Sequence, residues 1–301
     1  NHIGVPLTLL RFTKETEIGI VEMGANHQKE IEFLCQIAKP DYGYITNFGK
    51  AHLEGFGGVE GVIKGKSEMY DYLKNNNKIV FVNLDDAIQK EKSTPIKNYS
   101  FSLNDFTADV KISNIEANPM VKITYNNKTI HSHLIGIYNA NNINAAICIG
   151  HYFNISDELI KEAIEQYIPE NNRSQLIQKN SNEIILDAYN ANPSSMSAAI
   201  TNFLQLEKRN KIAILGDMFE LGEESLTEHK KIIQLLENES DTITYFIGKD
   251  FYANQIQNPH IKFFESFENF AEFLKSNIPT TSLLLIKGSR GMALERILSI
   301  L

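Results

Sequence analysis

From residue 183 to the C-terminus, short β-branched runs and amphipathic stretches alternate strictly. Strands are expected at 183–187, 211–216, 242–247, 261–264 and 282–287, and helices at 193–206, 225–238, 249–257, 266–276 and 290–300. Sequential strands joined by helical crossovers run parallel, and both faces of the sheet must then be covered. This rhythm sets the fold class as α/β. It also places the loops after each strand at one edge of the sheet, where such proteins hold ligands.

The first half has a different texture. "EIGIVEM" (17–23) reads as a buried strand ending at Gly24, "QKEIEFLCQIA" (28–38) as a helix stopped by Pro40, and 42–46 and 78–86 as further strands. Between 96 and 135, "ADVKISNIEA", "MVKITYN" and "TIHSHLI" read as antiparallel strands with a turn at Asn126-Asn127. Residues 138–153 and 157–168 have helical spacing. Pro169 and the polar "ENNR" then mark a boundary, so two domains are expected, 1–169 and 170–301. There are no internal repeats and no low-complexity segments.

Composition narrows the function classes. The chain is 43% hydrophobic and 22% charged, with a net charge of −8. An acidic protein is a poor non-specific nucleic-acid binder, although a local basic cleft for phosphates is still permitted. Its two cysteines, Cys35 and Cys148, lie in apolar helical stretches and read as reduced core residues of a cytoplasmic protein. No apolar run approaches a membrane span and no signal peptide is visible. The opening "NHIGVPLTLL" has no initiator Met and no lead-in to an element, so the chain is expected to begin inside a larger protein.

Among the segments that could carry chemistry, "GVIKGKSEM" (61–69) resembles the tail of a phosphate-binding loop, G-x-x-x-x-G-K-[ST]. The opening glycine should fall at position 60, which is Glu60. Val59, Val62, Ile63, Lys66, Met69, Tyr70 and Leu73 follow helical spacing, which puts Lys66 mid-helix on the apolar stripe. A phosphate loop needs irregular backbone before a helix, so the loop reading fails on spacing and on context. An inward lysine either snorkels, with its stem buried and its amine wet, or needs a partner or a lowered pKa.

Glu22 ends a strand beside Gly24, where a carboxylate could hold Mg²⁺ or simply face solvent. His52 lies in the loop "TNFGKAHLEGFG", as a ligand or as ordinary surface; with Glu22 and Lys66 it could meet at one sheet edge. Asn139 and Asn142 open a helix, where an amide can read an adenine edge or cap the helix. Asp187 ends a strand and suits ribose hydroxyls, and Tyr189 can stack on a base. Asn192 and Pro193 then form an N-cap and a first helical position. "LGDMFELGEES" and "LIKGSRGMALE" are the other polar, glycine-bearing loops. Lys287 and Arg290 suit a carboxylate or phosphate, or are solvated charge.

Taken in order, "NHIGVPLTLL", "EMGANHQKEI", "ITNFGKAHLEGFG", "GKSEMY", "YNANNINAA", "DAYNANPSSM", "LGDMFELG" and "KGSRGMALE" resemble the Mur ligase family over nearly the whole chain. "YNANP", "LGDMFELG" and "KGSR" resemble in particular those members that complete the peptidoglycan stem peptide. The resemblance implies a central P-loop-type ATPase domain, whose phosphate loop would lie upstream of Asn1, followed by a Rossmann-like domain. It also implies that this chain alone is inactive. The implied reaction is ATP-dependent amide ligation, adding D-alanyl-D-alanine to UDP-N-acetylmuramoyl-tripeptide through an acyl phosphate.

By the same resemblance, Glu22, His52 and Lys66 match positions that serve Mg²⁺, with Lys66 carbamylated. Asn139, Asn142, Arg173, Asp187, Tyr189 and Asn190 match the ATP side, and Asn1, Lys287, Ser289 and Arg290 the substrate side. The family's second acidic residue is replaced by Leu186. Two other readings compete: a folylpolyglutamate synthetase-like amide ligase, and a non-catalytic binding fragment.

Overall fold

The computed structural model describes residues 1–50, 52–170, 172–208 and 210–301. The chain divides into two compact units. One comprises Asn1–Asn114, Thr124–Lys128 and Asn141–Ile160, and the other Ile115–Ile123, Thr129–Ala140 and Lys161–Leu301.

The elements up to residue 166 are α1 (Gly4–Leu9), α2 (Glu30–Ala38), β1 (Tyr42–Tyr44), α3 (Leu53–Phe56), α4 (Val59–Asn75), β2 (Ile79–Asn83), α5 (Ala87–Ser93), β3 (Asn98–Ser102), β4 (Val110–Ala117), β5 (Met120–Tyr125), β6 (Lys128–Ile135), α6 (Ala140–Tyr152) and α7 (Asp157–Gln166). Strands β1 to β6 lie side by side in chain order. Asn126 and Asn127 both have positive φ, 45° and 59°, as the two-residue hairpin turn between β5 and β6 requires.

The structure corrects two expectations here. Residues 17–23 carry strand-like alternation, with Val21 and Met23 packed inward while Ile18 and Ile20 are exposed, but among the described residues they join no ladder. A strand needs a hydrogen-bonded neighbour as well as a pattern. Second, the stretch 96–135 holds an additional strand, β3, ahead of the three expected ones. β3 runs parallel to β2, and β4 parallel to β3. The tight connection between β3 and β4 is closed by side chains: Asp85 accepts from Ser102 Oγ and from the backbone of Leu103 and Asn104, and Asp109 accepts from Ser100.

The later elements are β7 (Gln175–Lys179), β8 (Asn182–Asp187), α8 (Pro193–Gln205), β9 (Lys211–Gly216), α9 (Ser225–Leu236), β10 (Thr242–Ile247), α10 (Lys249–Ala253), β11 (Ile261–Phe264), α11 (Phe267–Lys275) and β12 (Leu283–Lys287). The sheet order is β11-β10-β9-β12-β8-β7, parallel except for the antiparallel edge pair β7 and β8. β8, β9 and β12 are almost continuous apolar runs because both of their faces are buried. Ile184, Ile214, Ile247, Leu284 and Ile286 form one core with Phe270 and Leu274 of α11. Two expected helices are corrected. The one at 249–257 ends at Ala253, and 290–300 is two short 3₁₀ segments, because Ala293 takes a left-handed φ of 48° between them.

Candidate active site

α4 answers the question posed by "GVIKGKSEM". Gly61 and Gly65 sit one turn apart on a regular helix, and both are covered by Phe56 of α3. A Cβ at residue 65 would overlap the Phe56 ring, and one at 61 the Phe56 carbonyl oxygen. The glycines let two helices approach; they do not cradle a phosphate. The next residue, Lys66, turns inward, and its Nζ donates to the Asn47 carbonyl at 2.7 Å. Burial lowers its pKa below the ordinary lysine value. Two residues on, Glu68 accepts from the backbone N–H groups of Lys29 and Glu32 at 2.6 and 3.0 Å, so its charge satisfies the start of α2.

Lys66 is thus tied to the loop that carries His52. His52 is half-buried, with a left-handed φ of 54°, at the start of α3. The same short helix touches the segment after Glu22: the backbone at Gly55 lies against the Asn26 carbonyl, and Gln28 Nε2 donates to Phe56 O at 3.5 Å. Glu22 itself is exposed. Its neighbours Val21 and Met23, like Met69 and Tyr72 of α4, pack against the cluster of Val5, Ile31, Leu34 and Cys35.

Among the described residues, no three His, Cys, Asp or Glu side chains gather as a metal site. As a donor set for Mg²⁺, the Glu22 carboxylate fits. An imidazole suits this hard ion poorly, and a plain amine is no ligand. Asn1 turns its amide oxygen to the N–H groups of Ile3 and Gly4, at 3.0 and 2.8 Å, just ahead of α1.

In the other unit the three polar loops follow β8, β9 and β12, and these strands are neighbours. Their carboxyl ends converge. Asp187, the last residue of β8, lies directly opposite Lys287, the last of β12. Lys287 Nζ donates to Asp187 Oδ2 at 2.6 Å and to the Asn190 carbonyl at 3.1 Å. Only 2% of Lys287 is exposed, and the paired carboxylate is what permits the burial of its ammonium group.

Asp187 Oδ1 accepts the backbone N–H of Ser174 at 3.1 Å, and Ser174 takes a left-handed φ of 48°. Arg173, just before it, stacks its guanidinium 3.9 Å from the Tyr189 ring centroid, and Tyr189 N–H donates to the Asn172 carbonyl. Ser174 Oγ also meets the Tyr138 hydroxyl at 3.0 Å and Asn139 Nδ2 at 3.4 Å. Burial, with Asp187 second, raises the Tyr138 pKa and keeps the phenol neutral. Asn139, Arg173, Asp187, Tyr189 and Asn190 are therefore brought together. Asn142 lies on the exposed side of α6, in the other unit.

Ser289 is 3% exposed, and its hydroxyl is committed to the loops. It accepts from Phe219 N at 2.8 Å and donates to the Ala191 carbonyl at 3.3 Å, while its own N–H donates to Asp217 O. It ties the three loops together and is not turned to solvent. Arg290 is exposed and held by Glu295 at 3.1 Å. The expected cap of α8 is present: Asn192 and Ser195 form a reciprocal capping box, with Pro193 at the first turn. Ser174 and Tyr138 carry no local motif that would have singled them out.

Residues 1–150 match the Mur ligase middle domain, and residues 172–290 the Mur ligase, glutamate ligase domain. The UDP-N-acetylmuramoyl-tripeptide–D-alanyl-D-alanine ligase of Bacillus subtilis is 32% identical over 99% of this chain and 67% of its own length. That of Escherichia coli is 30% identical over 99% and 68%. The fold superposes on MurF from Acinetobacter baumannii with a TM-score of 0.88 at 29% identity, covering 99% of this chain and 68% of that one. On the Thermotoga maritima MurF ligase in complex with ADP the TM-score is 0.83 at 25% identity, covering 99% and 70%. The chain thus spans about two thirds of the length of these relatives. It belongs to the Mur ligase family, among the UDP-N-acetylmuramoyl-tripeptide–D-alanyl-D-alanine ligases.

Proposed function

We propose that the protein joins D-alanyl-D-alanine to UDP-N-acetylmuramoyl-tripeptide in peptidoglycan synthesis, with ATP converted to ADP and phosphate. The observation that carries this reading is the convergence of Asp187, the Arg173–Tyr189 stack and Arg290 at the carboxyl ends of adjacent parallel strands. An ADP complex of a related ligase supports nucleotide binding.

The chemistry runs in two steps. The terminal carboxylate of the tripeptide takes the γ-phosphoryl group of ATP, giving an acyl phosphate and ADP. The amine of D-alanyl-D-alanine then attacks the acyl carbon, and phosphate leaves with its bonding electrons as the amide forms and the amine loses a proton. Residues 1–169 serve as the nucleotide domain and 170–301 as the domain that presents the dipeptide. Asp187 accepts from the ribose hydroxyls, Tyr189 and Asn190 border the nucleoside, Asn139 serves the adenine side, and Arg173 neutralises phosphate. Arg290, exposed and anchored by Glu295, suits the dipeptide carboxylate.

Mg²⁺, when bound, would neutralise phosphate oxygens, with Glu22 as its carboxylate ligand and His52 beside it. Lys66 is a candidate for carbamylation, because a buried amine of lowered pKa has more of the neutral nucleophile that CO₂ requires. A carbamate would supply the oxygen donors that the amine lacks. No helix among the described residues is long and apolar enough to cross a membrane. An ATP-consuming step on a nucleotide-linked precursor belongs in the cytoplasm.

The test, made on the full-length ligase that carries the upstream phosphate loop, is phosphate release dependent on both tripeptide and dipeptide, with the amide product identified by mass. Asp187→Ala should raise KM for ATP about tenfold, the loss of one charge-assisted hydrogen bond. An unchanged KM would remove Asp187 from the nucleotide.

A further inference from the structure

The geometry points to Lys287 as a positioning residue that sets the nucleotide-facing surface through Asp187, and not as a contact for the dipeptide. The inference rests on the reading of Asp187, Arg173 and Tyr189 as ATP contacts. Lys287 and Asp187 are register partners on neighbouring strands, 2.6 Å apart between Nζ and Oδ2, with the ammonium buried. The other carboxylate oxygen holds the Ser174 N–H, at a backbone position with φ of 48°. That left-handed conformation costs a serine strain, and the bond from its N–H to a fixed acceptor helps to hold it there. The turn so fixed carries Asn172, whose carbonyl holds Tyr189 N–H, and Arg173, whose guanidinium lies on the Tyr189 ring. Lys287 Nζ also grips the carbonyl of Asn190, next to Tyr189. Both sides of the Arg173–Tyr189 stack are therefore tied to one buried ammonium.

Removing that charge frees Asp187 to rotate. It also releases the 172–174 turn, which places Arg173, and the 189–190 peptide, which places Tyr189. Arg290 is anchored separately, by Glu295. The effect is thus selective for one substrate.

The experiment compares Lys287→Met, which keeps the side-chain length without the charge, with the wild-type ligase. KM for ATP and the calorimetric Kd for ADP should rise about tenfold, and KM for D-alanyl-D-alanine should stay within about twofold. Asp187→Asn should give a similar rise, and the double variant no more than the larger single effect, because both act through one link. A lysine that only stabilises the fold would lower the melting temperature and leave ADP affinity alone. If Lys287→Met fails to fold, Lys287→Gln retains a donor in a similar volume and should show a smaller rise in ADP Kd. An unchanged ADP Kd in a folded variant, or a rise in the dipeptide KM alone, overturns the inference. A wild-type ligase that binds no ADP overturns the nucleotide reading and this inference together.

Discussion

The carboxylate of Asp217 occupies the space where a side chain of residue 248 would stand. Gly248 has φ of 127°, and its bareness lets Asp217 reach the N–H groups of Asp250 and Phe251, each at 3.0 Å. Gly248→Ala therefore meets two costs: a backbone region that L-residues avoid, and displacement of a buried carboxylate from two donors. The expected loss of stability is about 2–4 kcal/mol, from strain of about 1–3 and hydrogen bonds to a charge worth about 1.5–3 before relaxation. Denaturant melts measure it; a loss below about 1 kcal/mol would mean the loop relaxes freely.

Gly61 and Gly65 make a graded pair. Alanine in a helix interior gains up to about 1 kcal/mol over glycine, whereas overpacking costs about 1–3 kcal/mol. At residue 65 the obstacle is the Phe56 ring, which can tilt; at residue 61 it is the Phe56 carbonyl, which cannot move without α3. Gly61→Ala should be destabilising, and more so than Gly65→Ala. The reverse order in thermal melts would show that α3 yields as a body.

Lys66 gives stability a pH dependence of known sign. Its folded pKa is lowered by burial, while the unfolded lysine titrates near about 10.4. Between those values the unfolded chain binds more protons, so stability of the native protein rises with pH. Relative to Lys66→Met, the wild type should therefore gain stability as pH rises through the window from its lowered folded pKa to about 10. A flat difference would show that the amine finds water in the folded state.

Loss of the Lys66 side chain should also separate the two readings of its chemistry. If a carbamate is used, Lys66→Ala should lose at least about 100-fold in kcat, and short-chain carboxylates should restore part of it by supplying the missing oxygens. Full activity of the unsupplemented variant would remove Lys66 from the reaction.

Periodicity made the second sheet readable almost strand by strand, because each strand and each helix there carries its own apolar pattern. The α8 cap was readable for the same reason: Asn192, Pro193 and Ser195 lie within four residues and act on each other. What lay beyond reach depends on which strands become neighbours. Asp187 and Lys287 were each singled out, but for different ligands. Their pairing exists because β12 lies beside β8, a choice that no local pattern encodes. The segment 17–23 failed for the complementary reason, since its alternation is real and its ladder partner is not found among the described residues. Ser289 was assigned to substrate from its motif. The carbonyl and amide that occupy its hydroxyl come from residues 191 and 219, far away in the chain.

β12 is the last strand of its sheet in chain order and the one that separates β8 from β9. A ribosome therefore releases every flanking piece of this sheet before the central one. Until residue 287 has emerged, β8 and β9 have no common neighbour, Asp187 has no counter-ion, and the Ser289 tie among the loops does not exist. The Arg173–Tyr189 stack precedes β12 in the chain, whereas the Asp187–Lys287 pair waits for it, so the loop edge of this unit is completed by one late strand.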